Sequence, residues 1–288
     1  RPVGSVMIIR DDMAVEGSVS GGCVEGAVID AGIEAIGSGT GRRLDFGVAD
    51  ARAWEVGLSC GGRIAVLVTP VATDGLPSER LAALCEDIDS RRAARVQFDA
   101  VTGAVRDAGP DRGAAGECGL AADESLFTFT QVPPRRLLVV GGVHITQFLA
   151  PMAQQAGYDV VVIDPRAVFA AAERFPGTRC LTAWPDEAMA ELAPDTQTAV
   201  VTLTHDPKID DPGLRAALAS EAFYIGCLGS RRPHAARCER LSEAGFAAET
   251  IARLHGPAGL DIGAKTPAEI AVSILAQMIA AERKGGGS

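Results

Sequence analysis

Two cysteines stand among glycines, in Ser20-Gly21-Gly22-Cys23-Val24-Glu25 and in Leu58-Ser59-Cys60-Gly61-Gly62. Glycine neighbours strip side-chain bulk from around a thiol and leave backbone N–H groups free, and the dipole at a helix N-terminus lowers the pKa of a cysteine placed there. Such a thiolate can ligate a soft metal or attack an electrophile. Burial in a core, with the glycines serving turns, is the competing reading for either cysteine taken alone. The recurrence of these surroundings favours chemistry. Cys85, Cys118, Cys180, Cys227 and Cys238 lack the context and read as structural.

A second set of residues follows the ends of apolar runs. Gly141-Gly142-Val143-His144 lies between a predicted strand and a predicted helix, where one glycine makes the bend and a second lets the backbone approach a diphosphate. Val143 occupies that second slot, and its isopropyl group obstructs a dinucleotide. Asp164, which ends the next apolar run, stands where a ribose-binding acid belongs. The turn therefore reads as a fold element, as a phosphate or pterin site, or, least well, as an NAD(P) site.

Three further strand ends carry polar groups: Asp164-Pro165-Arg166, Thr204-His205-Asp206, and Gly226-Cys227-Leu228-Gly229-Ser230-Arg231-Arg232. In the last, glycines permit a tight turn, Ser230 suits an N-cap, and two guanidiniums at a helix start suit an oxyanion. A capped helix with solvated arginines explains the same residues. His205 and Asp206 read equally as an acid/base pair or as a capped turn.

The elements that must position these residues divide the chain. Residues 1–106 read as a smaller α+β domain, with a strand at Val3–Ile9, a helix at Val24–Ile36, strands at Arg42–Phe46 and Arg63–Thr69, a helix from Ser78 to Ser90, and a hairpin over Val96–Val105. Residues 107–134, rich in Gly, Ala and acids and closed by Pro133-Pro134, read as a linker. Residues 135–284 alternate apolar strands with helix-length segments, including helices at Val168–Phe175, Pro212–Ser220 and Pro233–Ala244. That pattern predicts an α/β, Rossmann-like, doubly wound parallel sheet. Thr266-Pro267-Ala268-Glu269 opens a last helix with a capping box. Gly285-Gly286-Gly287-Ser288 reads as a flexible linker outside the fold.

Composition narrows the function. A net charge of −10 argues against nucleic acid or membrane surfaces as general partners and leaves a local anion site open. No stretch is apolar for long enough to span a membrane, and the first residues are not a signal peptide, so the cytoplasm is expected, with its seven cysteines reduced. The four histidines form no zinc pattern, and neither a GKS/GKT phosphate loop nor a GxSxG elbow is present.

Taken in order, these motifs resemble the XdhC/CoxI proteins, accessory factors in the maturation of molybdenum hydroxylases such as xanthine dehydrogenase and CO dehydrogenase. The match rests on Gly17–Glu25, Ser59–Gly62, Val162–Arg166, Gly226–Arg232 and Pro257–Ala271. The resemblance implies a small N-terminal domain and a Rossmann-like C-terminal one. It further implies a maturation factor, rather than a catalyst, that binds molybdenum cofactor (molybdopterin, with or without a nucleotide), supports its sulfuration and delivers it to an apoenzyme. Cys23 is then the cofactor thiol and metal ligand, beside Gly21 and Gly22, with Cys60 as second candidate. Gly141, Gly142, His144, Asp164, Arg166, His205, Gly229, Ser230 and Arg231 are the candidates for the anionic tail. The molybdenum hydroxylase apoenzyme is the implied partner, with a cysteine desulfurase or sulfurtransferase as a second and a homodimer permitted by the composition. Family members usually carry a further helix and strand upstream of the point where this chain begins, which suggests a shortened first domain. An NAD(P)-dependent oxidoreductase and a scaffold joining a sulfurtransferase to the apoenzyme are the alternatives.

Overall fold

The structure, a computed structural model, describes residues 1–47, 63–72, 74–110 and 118–285. Cys60 and its glycines lie outside the described residues. The chain separates into two compact units, Arg1–Pro133 and Pro134–Ser288.

In the first unit, β1 (Met7–Ile9) pairs antiparallel with β2 (Val15–Gly17), and α1 (Glu25–Ser38) follows. Helix α1 buries Val28, Ala31 and Ala35 at helical spacing and ends at Gly39, whose left-handed backbone returns an N–H to the Ala35 carbonyl. β3 (Arg42–Phe46) pairs antiparallel with β4 (Ile64–Val68), and Val66 and Val68 close the core with the buried face of α1 and Val24. α2 (Ser78–Asp89) precedes an antiparallel sheet of β5 (Ala94–Asp99), β6 (Val105–Pro110), β7 (Gly119–Leu120) and β8 (Leu126–Gln131), in the order β6-β5-β8-β7.

That sheet corrects the expected linker at 107–134. Phe127-Thr128-Phe129-Thr130 alternates apolar and hydroxyl side chains with the period of a strand, and the strand Leu126–Gln131 pairs with β5 over its whole length, Phe127 opposite Phe98 and Phe129 opposite Val96. The acidic, glycine-rich stretch before it conceals the signal.

The second unit contains β9 (Arg136–Val140), α3 (His144–Gln155), β10 (Asp159–Ile163), β11 (Arg179–Leu181), α4 (Pro185–Leu192), β12 (Thr198–Thr202), α5 (Pro207–Leu218), β13 (Tyr224–Cys227), α6 (Arg231–Glu243), α7 (Ala248–Ile251), β14 (Leu254–His255) and α8 (Pro267–Gly285). Its six strands are parallel and ordered β11-β10-β9-β12-β13-β14. Numbered from β9, this is the 3-2-1-4-5-6 order of the doubly wound Rossmann fold, so the expected class holds. Successive residues of β9 face opposite sides. Leu138 and Val140 join Met189 of α4, Leu214 of α5 and Leu241 of α6, whereas Leu137 and Val139 join Leu149 of α3 and Ile274 and Met278 of α8.

Beyond β11, α7 and β14, which the sequence pattern does not reveal, three details differ from expectation. Val168–Phe175 contains only a single 3₁₀ turn at Ala172–Arg174, with Val168 exposed, because this backbone is held against Gly142 through the Phe169 carbonyl. α5 begins at Pro207 rather than Pro212, with Asp206 accepting the Lys208 N–H as its cap, and Pro207 in the first helical position needs no hydrogen bond. α4, absent from the sequence reading, starts on Pro185-Asp186-Glu187, a proline and two acids where a helix N-terminus favours them. The capping box of α8 forms as read: Thr266 Oγ1 accepts the Glu269 N–H at 3.3 Å, and Glu269 accepts the Thr266 N–H at 2.9 Å.

Candidate functional site

The Ser20–Glu25 turn folds around the Glu25 carboxylate. The backbone N–H groups of Ser20, Gly21 and Gly22 donate to it at 2.9, 3.0 and 2.8 Å, as do the hydroxyls of Ser18 at 2.8 Å and Ser20. Burial alone would raise the Glu25 pKa, but these donors overcome it and hold the group far below the usual carboxylate range. Gly21 and Gly22 lie at φ +86° and +119°, where a Cβ is strained, so the nest requires glycine at both positions.

Cys23 sits immediately before Val24, the N-cap of α1. Its N–H donates to Ser20 Oγ at 2.9 Å, and its side chain is half-buried against the α1 core. The thiol itself makes no hydrogen bond among the described residues. Sequence reasoning found the cysteine and glycines here but missed Glu25 as the group that shapes them; an acid just inside a helix after Ser and Gly donors was the available signal.

In the second unit, the remaining sequence candidates collect along one edge. Parallel register aligns Val140 with Ile163 and Thr202, and Thr202 with Cys227, so Gly141, Asp164, His205 and the Gly229–Arg231 loop all leave the carboxyl ends of neighbouring strands. Order reverses between β9 and β12, the crevice in which such sheets hold ligands.

The turn after β9 is occupied by the protein itself. A Cβ on Gly142 would collide with the Phe169 carbonyl, so this glycine serves chain approach and not ligand approach. Arg174 donates to the carbonyls of Gly142 and Phe169. Val143 is partly buried against the α3 face of the core. Asp164 is wholly buried and accepts from Arg166 Nε and Nη2, each at 2.8 Å, and from the Gly142 N–H at 3.0 Å. Burial would raise its pKa, yet Arg166 and the two backbone donors lower it. A ribose could reach Asp164 only by displacing Arg166, whose guanidinium also lies 4.0 Å over the Phe169 ring. His144 is exposed as the first residue of α3, its ring tilted against Phe148.

Along the same edge, His205 is exposed with a left-handed backbone, φ +63°, and its N–H donates to Asp210 at 3.1 Å. Asp206 caps α5, so of the two readings for His205-Asp206 the capped turn is the geometry found. Gly229 turns at φ +136°, Ser230 is the N-cap of α6 without a side-chain capping bond, and Arg231 is exposed. Cys227 is fully buried, and that burial pushes its thiol up to about 12, as expected of a structural cysteine.

Sequence reasoning missed the charged groups behind this edge. Asp210 and Arg237 are both buried, on α5 and α6. Burial pushes the Asp210 carboxyl above its ordinary range against the hydrogen bonds from Thr204 and His205. The available signal was Arg237 four residues before Leu241, a charge on the helix stripe that faces the core. Among the described residues, no group of three or more His, Cys, Asp or Glu could hold a metal ion, and no helix is long and apolar enough to cross a membrane.

Comparison with known proteins agrees with this architecture. A family model described as the XdhC Rossmann domain matches residues 137–278, and one described as the XdhC and CoxI family matches residues 1–47. The molybdenum cofactor insertion chaperone PaoD of Escherichia coli (strain K12) is 29% identical over 279 residues, covering 96% of this chain and 78% of that protein. A probable xanthine dehydrogenase component of Bacillus subtilis (strain 168) is 31% identical over 153 residues, 53% of this chain and 44% of the relative. A crystal structure described as a xanthine dehydrogenase from Bacillus halodurans shares the fold at TM-score 0.75 and 24% identity, covering 96% of this chain and 86% of that one. With a model of one family on each unit and a relative matched over 96% of this chain, the chain belongs to the XdhC/CoxI family.

Proposed function

We propose that this protein is an accessory factor in molybdenum cofactor maturation, which binds the cofactor, supports its sulfuration and delivers it to a molybdenum hydroxylase apoenzyme. The observation that carries the reading is the Cys23 turn. Ser20, Gly21, Gly22 and Glu25 satisfy one another, which leaves a half-buried thiol at a helix start with no hydrogen-bond partner among the described residues. One soft donor, with no metal-binding cluster around it among those residues, fits a metal that arrives with its own pterin sulfur ligands and accepts a single protein thiolate. Bound there, the cofactor would supply the metal and a phosphate-bearing tail. This chain's part is to hold the sulfur still, and Glu25 does so by fixing the turn. The family and the relative named as an insertion chaperone support the same role.

The test is anaerobic isolation followed by molybdenum and pterin analysis of the wild type beside Cys23→Ala and Cys60→Ala. Cofactor present on the wild type and lost from Cys23→Ala is expected. Uptake by Cys23→Ala equal to wild type, or no uptake by wild type under reducing, oxygen-free conditions, overturns the reading.

A nicotinamide-dependent oxidoreductase is the second reading, and the 3-2-1-4-5-6 strand order is the observation in its favour. Val143 and the closed Asp164–Arg166 pair weigh against it. Saturable micromolar binding of NADH, followed by nicotinamide fluorescence, would reverse that preference.

A further inference from the structure

An open cleft lies between α5 and α6, with His205, Asp210, Asp211, Arg237 and Arg240 on its walls. Arg237 is 5% exposed, and its Nη2 donates to the Leu228 carbonyl at 3.0 Å. Its Nε and Nη1 are buried without any hydrogen-bond partner among the described residues. A buried guanidinium left in that condition is costly, and native structures rarely keep one without a ligand, ion or water to complete it.

The carboxylates of the cleft do not complete it. Asp211 is closed on Arg240, whose Nε and Nη2 donate to it at 2.6 and 2.9 Å. Asp210 accepts from the Thr204 hydroxyl at 2.7 Å, the Thr204 N–H at 3.3 Å and the His205 N–H at 3.1 Å. Neither lies within ion-pair distance of Arg237 among the described residues. Two helix starts add to the field. Pro207 is the first residue of α5 and Pro233 stands in the first turn of α6, and both line the cleft, so one end of it lies beside the positive ends of helices of 12 and 13 residues.

We infer that this cleft binds a phosphoryl oxyanion, with Arg237 as its buried donor and the α5 and α6 N-termini as its flanks. Both unpartnered nitrogens are closed to solvent in this structure, so the guanidinium would have to turn into the cleft for the anion to accept from it. Two sources present this chemistry, free inorganic phosphate and the phosphate-bearing tail of a pterin cofactor. The second assignment rests on the function proposed above; the affinity of the cleft for phosphate does not.

The experiment is calorimetric titration of the full chain with inorganic phosphate at constant ionic strength, against chloride. Saturable binding to one site is expected, weakened about tenfold or more in Arg237→Met, since charge-assisted hydrogen bonds of this kind are lost. Methionine keeps the apolar stem of the side chain and removes the orphaned donors, so the fold should persist. Should it not, Ala236→Glu, an exposed substitution on the cleft wall, brings a like charge to the anion and carries the same expectation. Indistinguishable responses to phosphate and chloride, or unchanged phosphate affinity in the folded variants, overturn the inference. Loading the protein with cofactor first separates the sources: loss of the phosphate site assigns the phosphoryl group to the pterin, and its retention assigns the cleft to free phosphate. Phosphate binding without cofactor uptake upholds the cleft and sinks the carrier role, and the reverse sinks the cleft alone.

Discussion

Arg166 donates to both oxygens of Asp164, from Nε and Nη2 at 2.8 Å each, so the acid that a Rossmann fold offers to a ribose is here closed on its own neighbour. Asp164 is completely buried and Arg166 is 40% exposed at its side chain. Arg166→Ala strands a buried carboxylate. The expected loss is about 2–3 kcal/mol, below the ~3–5 kcal/mol of a fully buried pair because solvent screens the arginine. Urea denaturation at pH 7 measures it. The same variant should lose less at acid pH: the folded pKa of Asp164 is lowered, so its contribution is present above the unfolded value of 3.8 and disappears as pH falls through the lower folded value.

Glu25 predicts a related acid sensitivity in the first unit. Its folded pKa is depressed below the ordinary 4.5, and the stabilisation it provides is therefore complete above that value and lost as pH falls further. Glu25→Ala leaves the N–H groups of Ser20, Gly21 and Gly22 without their acceptor. Amide exchange by NMR should show these three among the first to lose protection at neutral pH, with cofactor uptake falling even though Cys23 is intact.

Thiol chemistry should separate the cysteines by position. Cys23 and Cys85 are accessible, whereas Cys227 is fully buried with its thiol pushed up to about 12. Brief iodoacetamide treatment of the native protein at pH 7.5, read by peptide mass spectrometry, should label Cys23 and Cys85 and spare Cys227 until denaturant is added. Cys23→Ala should cost less than about 1 kcal/mol in stability, because its half-buried thiol makes no hydrogen bond among the described residues. A large loss would mean that Cys23 is packing rather than chemistry.

Gly142→Ala tests what the glycine turn is for. A Cβ there meets the Phe169 carbonyl, so the substitution should destabilise the second unit by about 1–3 kcal/mol through forced backbone movement. A turn that served a ligand only would lose binding in this variant while its thermal midpoint stayed unchanged. Differential scanning calorimetry distinguishes the two.

Local pattern was enough for much of this protein. Alternating apolar runs and helix-length segments specified the parallel sheet, because strands buried on both faces must be apolar throughout. The Thr266–Glu269 box specified the start of α8, and Gly21-Gly22-Cys23 specified a tight bend, because these depend on neighbours within a few residues. Tertiary structure decided what depends on distant partners. Asp164 has the spacing of a ribose ligand, yet Arg166 and the Gly142 N–H take its oxygens once β9 and β10 lie side by side. Leu126–Gln131 became a strand through its pairing with β5 and β7. Arg237, which in the sequence is one more arginine on a charged helix, acquires its meaning from burial: folding removes it from water and leaves two of its nitrogens without an acceptor among the described residues.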